Sequence, residues 1–409
     1  MTPFNAEDFP REYIPLRVQP DYEFTILKNG PFNITARGTY TAYIQYDNRQ
    51  STFSNTKSLI FKWAKTERNT LEPRTRQAIE ELMLRRFSWQ EWKYICRESG
   101  VRVPWPYWRN VDRDILVMED LGPVVALWDI LSPGAAEWAL FFYQLHDPGI
   151  ELGPTRSDGT HHLERLVRER DRNLAIDYLF GIKVKPILEP LTQLVGNAQE
   201  LYERVLNEFF LPAPLPCVSH GDCHPGNILL PDWSVLAEDS PDDPLIGIVD
   251  WELSQAAGRG VDGDIAQLLA ALVCQREYLE TLYESVGQDS EQASKATGLQ
   301  KAISCCDSFI NGIVTRYAFL SSDAYGPLLK AKLVRTTAII LGREIINVAY
   351  GTEWDLEGYA VTLDELRIRL VKIAADYLRN AGKTDEDASW RFSNAPPCII
   401  STLFCLQLS

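Results

Sequence analysis

Two stretches decide the reading of this chain: Ser219-His220-Gly221-Asp222-Cys223-His224-Pro225-Gly226-Asn227-Ile228-Leu229-Leu230, and Ile246-Gly247-Ile248-Val249-Asp250-Trp251-Glu252. Asp222 and Asn227 are five residues apart, and Pro225-Gly226 supplies a tight turn that lets their side chains converge. Asp250 follows an apolar, strand-like run. An Asp, an Asn shortly after it and a second Asp at the end of the next strand suit phosphoryl transfer. One carboxylate orients an acceptor hydroxyl, while an amide oxygen and a second carboxylate hold magnesium on a triphosphate.

The expected roles follow from the donor atoms. Asp222 is the catalytic candidate. A carboxylate of pKa roughly 3.9 is a weak base toward an alcohol, so its main task is alignment, with proton transfer late. Asn227 and Asp250 are the metal candidates, because magnesium is a hard cation that prefers oxygen ligands. The same segment also reads as a plain polar turn, or as a His-x-Asp-x-His metal centre of a hydrolase built on His220 and His224. The chain has only five histidines (146, 161, 162, 220 and 224), and none falls in an H-E-x-x-H spacing. A dinuclear hydrolase would need more ligands, so His220 is expected to brace the loop through hydrogen bonds.

Upstream of this segment the period is that of strands. Tyr22 to Leu27, Thr39 to Tyr46 and Ser58 to Ala64 are rich in β-branched and aromatic residues. The stretch Asn29 to Thr35 reads as a turn, and Asp47 to Thr56 as a polar turn region. Lys62 lies mid-strand, where an ammonium is costly unless paired or reaching water. It is expected to meet the nucleotide phosphates and a helix glutamate, Glu80 or Glu81. Gly30 and Asn33, in the turn between the first two strands, could bring backbone N–H groups close to phosphate, although the spacing lacks repeated glycines. A helix is predicted over 73–95 and a further strand over Asp114 to Met118. Glu119-Asp120-Leu121 then reads as a hinge whose backbone at Glu119 and Leu121 meets an adenine edge. Asp264 opens a helix, either as an N-terminal acid favoured by the dipole or as a brace for the loop.

Beyond Gly122 the pattern is mainly helical, with helices predicted at 134–146, 161–179, 186–209, 262–286, 291–318, 324–350 and 362–381. The exception is a hairpin-like pair, Asn227–Leu230 with Ile246–Val249, whose connection from 231 to 244 is acidic and proline-bearing. The expected architecture is α+β with two lobes: a small antiparallel-sheet lobe with one helix over 1–121, and a larger helical lobe over 122–409.

The 409 residues carry a net charge of -15, which argues against a nucleic-acid partner and permits a cationic small substrate. Eight scattered cysteines form no C-x-x-C pair, as expected for reduced thiols in the cytoplasm. No signal peptide is visible, and no stretch approaches the roughly 18 apolar residues of a membrane span. Nothing in the sequence sets the oligomeric state.

His220-Gly221-Asp222 with Asn227 and Val249-Asp250-Trp251-Glu252 resembles the aminoglycoside phosphotransferase and choline kinase superfamily, small-molecule kinases with a protein-kinase-like fold. Gly30-Pro31-Phe32-Asn33 is similar to its nucleotide loop, and Ser58 to Lys62 to its lysine strand. Leu116 to Leu121 is similar to its hinge, Leu145-His146 to a helix end, and Gly263-Asp264-Ile265-Ala266 to the helix after the metal aspartate. The resemblance implies transfer of the γ-phosphate of ATP, with Mg2+, to a hydroxyl of a small molecule. It also implies acceptor-side groups in the helical part, for which Trp251, Glu252, Arg259, Tyr350 and Trp354 are the candidates. An aromatic-acidic lining of that kind suits an amine. Asn29 stands where a second loop glycine is common. An inactive nucleotide-binding scaffold, and an ATP-driven bond-forming enzyme, would present similar motifs.

Overall fold

The computed structural model describes residues 23–29, 33–45, 52–65, 72–87, 90–111, 114–127, 213–231, 246–286, 293–321 and 326–381. The expected helices at 134–146, 161–179 and 186–209, Gly30, and the acidic connection from 232 onward lie outside these residues.

Three strands open the chain: β1 (Glu23–Asn29), β2 (Asn33–Gln45) and β3 (Thr52–Ala64). Two helices follow, α1 (Glu72–Phe87) and α2 (Gln90–Glu98). Then come β4 (Val101–Arg102), β5 (Pro106–Asn110) and β6 (Ile115–Glu119). Strands β1, β2, β3, β6 and β5 make a five-stranded antiparallel sheet in that spatial order. In β3, side chains alternate between two faces. Leu59 and Phe61 pack with Ile115 and Val117 on one face. Ile60 packs toward the main core with Leu116 and Met118, and Lys62 shares its side of the strand. Helix α1 covers this second face with Ile79, Met83, Leu84 and Phe87, spaced for one helical stripe.

A second sheet carries the loop chemistry. It runs β4–β10–β9–β7, with β7 at Val124–Ala126, β9 at Ile228–Pro231 and β10 at Ile246–Ile248. β9 and β10 pair antiparallel, Ile228 opposite Ile248, as the hairpin reading expected. β8 (Cys217–Ser219) and β11 (Gln255–Gly258) form a short antiparallel pair beneath. Four long helices complete the core: α3 (Ile265–Ser285), α4 (Ala293–Ser321), α5 (Pro327–Gly351) and α6 (Leu363–Ala381). Helix α3 is almost wholly apolar through Cys274 and sits at the centre of the large cluster, packed by α5 and α6. This is the α+β arrangement expected, a small antiparallel sheet with helices followed by a helical body.

Three expectations are corrected. The helix over 73–95 is two helices. The turn region expected up to Thr56 is strand from Thr52, pairing with β2 as far as Gln45 opposite Thr52. Asn33 to Thr35, read as turn, begin β2.

Candidate active site

The site gathers on Lys62. Its ammonium lies 2.8 Å from Glu80 Oε2 and 2.7 Å from Glu252 Oε2, and it also pairs with Asp250 Oδ1. Helix α1 explains the choice between the two glutamates. Glu80 is on the inward face, 1% exposed, whereas Glu81 salt-bridges Arg85 at 2.8 Å one turn on. Arg76 and Gln77 share the Glu80 face. Arg76 Nη1 lies 3.3 Å from Glu252 Oε1. Gln77 Nε2 donates to the Lys62 carbonyl at 2.9 Å and the Asp114 carbonyl at 2.8 Å, locking the helix to the lysine strand.

Burial works against the Lys62 charge, yet Asp250, Glu80 and Glu252 outweigh it and hold its pKa well above the ordinary value. Burial pushes Glu80 up to about 7, with Lys62 opposing and Asp250 and Glu252 adding to the rise. Burial alone would raise Asp250. Lys62, through charge and hydrogen bond, reverses this with help from Lys28 and holds it down to about 2. Among the described residues, Glu80, Asp250 and Glu252 are the acidic groups near enough to share a metal ion, but the Lys62 ammonium already bridges them.

The loop that carries Asp222 is fixed by its backbone. Gly221 has φ +83, and a Cβ there would lie 2.2 Å from the Leu253 carbonyl oxygen, so this turn requires glycine. The N–H groups of His220 and Gly221 donate to the two carboxylate oxygens of Asp264 at 2.6 and 2.9 Å. Asp264 is therefore a brace of the loop. His220 is fully buried; its Nε2 meets the Val249 carbonyl at 2.9 Å and its Nδ1 the Asp222 N–H at 3.3 Å. Those partners call for the Nε2–H tautomer. With both nitrogens engaged, and with His224 Nδ1 accepting the Gly226 N–H at 3.0 Å, the two rings do not form the metal centre weighed above.

Asp222 is partly open, its side chain 39% exposed. Desolvation by the surrounding protein raises its pKa; His224 and His220 pull it down, while Asp250 and Glu252 push it up. Asn227 Nδ2 donates to the Asp222 carbonyl at 2.9 Å, leaving its amide oxygen as the remaining polar atom. The Val249 N–H donates to the Asn227 carbonyl at 3.0 Å, which sets Asn227 beside the start of the Asp250 turn. Asp250 adopts a left-handed backbone, φ +68, that non-glycine residues seldom take. A neutral amide oxygen and a carboxylate kept anionic make a donor set that fits Mg2+.

The hinge is braced from the sheet. Arg37 Nε lies 2.6 Å from Asp120, and its Nη2 donates to the Gly122 carbonyl at 3.2 Å. The Glu119 N–H donates to the Trp105 carbonyl at 2.8 Å, and its carboxylate pairs with Arg102. Leu121 packs where a Cβ on Gly247 would stand.

The acceptor candidates are dispersed. Trp251 is fully buried, 4.4 Å from the Phe87 ring and 4.5 Å from the His220 ring, so it is core between helix and loop. Glu252 belongs to the Lys62 cluster and accepts a hydrogen bond from Asn33 Nδ2 at 2.7 Å. Arg259 pairs with buried Asp262. Tyr350 lies under the Arg367 guanidinium, 4.7 Å to the ring centre, and Trp354 packs on Tyr278 at 5.0 Å. The sequence reading missed Arg76, Gln77 and Gln267; the first two stand one turn before Glu80, and Gln267 stands three residues after Asp264, which was the available signal.

No protein-family model matches the chain, and no curated protein matches it significantly. Among solved structures it is similar to an ethanolamine kinase from Plasmodium vivax, at 13% identity and TM-score 0.43, covering 88% of this chain and 84% of that one. It is also similar to a choline kinase from Streptococcus pneumoniae, at 14% identity and TM-score 0.29, covering 83% and 89%. At these TM-scores the likeness is loose, and the roles of the residues rest on the geometry described above.

Proposed function

We propose that the chain is a kinase that uses ATP and Mg2+ to phosphorylate a hydroxyl group of a small molecule. The observation that carries this reading is the convergence on Lys62 of Glu80 from α1 and Asp250 from the end of β10, beside a loop that fixes Asp222 and Asn227. In this reading Lys62 contacts the phosphates, exchanging carboxylate partners for phosphate oxygens, and Glu80 keeps the ammonium in place. Asn227 and Asp250 would hold Mg2+, which when bound neutralises negative charge on the phosphates. Asp222 accepts the acceptor's O–H, aims its oxygen and takes its proton late. His220 and Asp264 hold Asp222 there without touching substrate. The hinge at Glu119 and Leu121 receives the adenine, and Asn33 and Gly30 the phosphate side.

The acceptor class is inferred as a hydroxylated amine, supported by the net charge of -15, which favours cations approaching the cleft. The cytoplasm is the compartment we propose, on eight scattered cysteines that form no C-x-x-C pair. The test is mass spectrometry for an added phosphate across hydroxyl-bearing metabolites, amines first, with ADP release dependent on magnesium and acceptor. Tight MgATP binding with no product across the whole panel would favour the inactive scaffold instead.

A further inference from the structure

We infer that Gln267 is a positioning residue for Asp222, gripping both peptide units that flank it. The inference rests on the kinase reading for its catalytic meaning, but the grip itself is geometric. The Cys223 N–H donates to Gln267 Oε1 at 2.9 Å, and Gln267 Nε2 donates to the Gly221 carbonyl at 3.2 Å. One side-chain amide therefore closes over Asp222 from the residue before to the residue after.

Asp222 has two peptide units with four polar groups, and all four are taken. Gln267 holds the Gly221 carbonyl and the Cys223 N–H. The Asp222 N–H meets His220 Nδ1 at 3.3 Å. The Asp222 carbonyl accepts from Asn227 Nδ2 at 2.9 Å and from the His224 N–H at 3.0 Å. Fixing both peptide planes fixes the Cα–Cβ direction, so the carboxylate keeps only its own side-chain torsions. His224 Nε2 lies 3.8 Å from Asp222 Oδ2, beyond hydrogen-bond reach, so the aim of this partly open aspartate comes mainly from its backbone.

The placement follows from the helix. Asp264 directly precedes α3 with a helical backbone and Gln267 is three residues on, so they present to the same side. Asp264 takes the N–H groups of His220 and Gly221, and Gln267 takes the next carbonyl and N–H along the loop. The residue type is constrained by this division. The position needs an acceptor and a donor at one reach, which a primary amide supplies. Glutamate would set a carboxylate against the Gly221 carbonyl, and asparagine is a methylene short.

The test compares Gln267→Met, of similar length with neither bond, and Gln267→Glu, which keeps only the acceptor, with the wild-type chain. Turnover of MgATP is measured with water as the acceptor. Both variants are expected to lose kcat roughly ten- to a hundredfold, as a displaced catalytic group does, with KM for MgATP within about twofold because the nucleotide contacts are elsewhere. Amide hydrogen exchange over 219–227 is expected to speed up in Gln267→Met while helix α5 stays protected. The inference is overturned if Gln267→Met keeps wild-type kcat. It is equally overturned if the loss matches a loss of MgATP-binding sites, which would mark a folding defect. A wild-type chain that turns over MgATP neither with water nor with any member of the metabolite panel would sink the kinase reading; the exchange measurement would still decide the grip, and unchanged exchange over 219–227 in Gln267→Met would overturn it.

Discussion

Asn33 and Glu252 are 219 residues apart in sequence, yet Asn33 Nδ2 donates to Glu252 Oε2 at 2.7 Å. The same carboxylate group meets Lys62 and Arg76. One side chain two residues after Asp250 therefore holds three groups from the five-stranded sheet and its helix.

Removing Glu252 should be costly. Glu252→Ala leaves the Arg76 guanidinium, 7% exposed, without that partner in a buried setting. The expected loss is roughly 2 kcal/mol of folding stability, the scale of hydrogen bonds to charged groups. Urea denaturation measures it, and an unchanged midpoint would contradict the role given to Glu252.

Asp222→Asn should lower kcat at least about a hundredfold, the lower end of general-base contributions. MgATP affinity should stay within a few-fold, since the proposed reading has Asp222 face the acceptor. Steady-state kinetics with isothermal titration separates the two. Unchanged turnover would remove Asp222 from the mechanism.

The Lys62 cluster should leave a signature in the pH dependence of stability. Glu80, pushed up to about 7, binds a proton more readily folded than unfolded. Its contribution is fully present below its ordinary value of 4.5 and is lost as pH rises through about 7. Asp250, held down to about 2, acts in the opposite sense: its contribution is present above 3.8 and lost as pH falls through about 2. Glu80→Gln removes the first effect alone. Its stability relative to wild type should therefore rise between about pH 5 and about pH 8. A difference that is flat or falls across that range would show that Glu80 is not so perturbed.

Gly221→Ala should disable the loop. The new methyl would meet the Leu253 carbonyl at 2.2 Å on a backbone at φ +83, so the loop must move by something like an ångström. A displacement of that size costs on the order of a hundredfold in kcat. A variant with wild-type kcat would show that the loop tolerates the shift.

Much of the site was legible because its signals are local. Asp222, Asn227 and Asp250 sit in short, patterned runs, and Lys62 is conspicuous as a charge in a strand. The long helices were legible for the same reason, since their apolar positions recur over many residues. What escaped depends on partners distant in sequence. Glu252 stands two residues after Asp250 and so read as an acceptor group; its contact with Lys62 reveals it as part of the lysine cluster. Trp251 read either as an acceptor-side aromatic or as core, and nothing local announces the Phe87 and His220 rings that make it core. Thr52 to Thr56 read as turn because Ser54 and Asn55 are polar, while register with Ala42 and Tyr43 keeps them in strand. β8 and β11 are too short to leave a period.

The strand β4 bears on how this chain can be taken apart. Val101–Arg102 precede the hinge, yet they pair in parallel with Ile246 and Gly247, the strand that leads to Asp250. The Ile246 N–H also donates to the Gly100 carbonyl at 2.9 Å. An N-terminal half grafted from another chain would have to carry its own matching dipeptide, or leave the sheet that leads to Asp250 one lane short. The two halves are interleaved rather than interchangeable, and a chimera joined at the hinge inherits that seam.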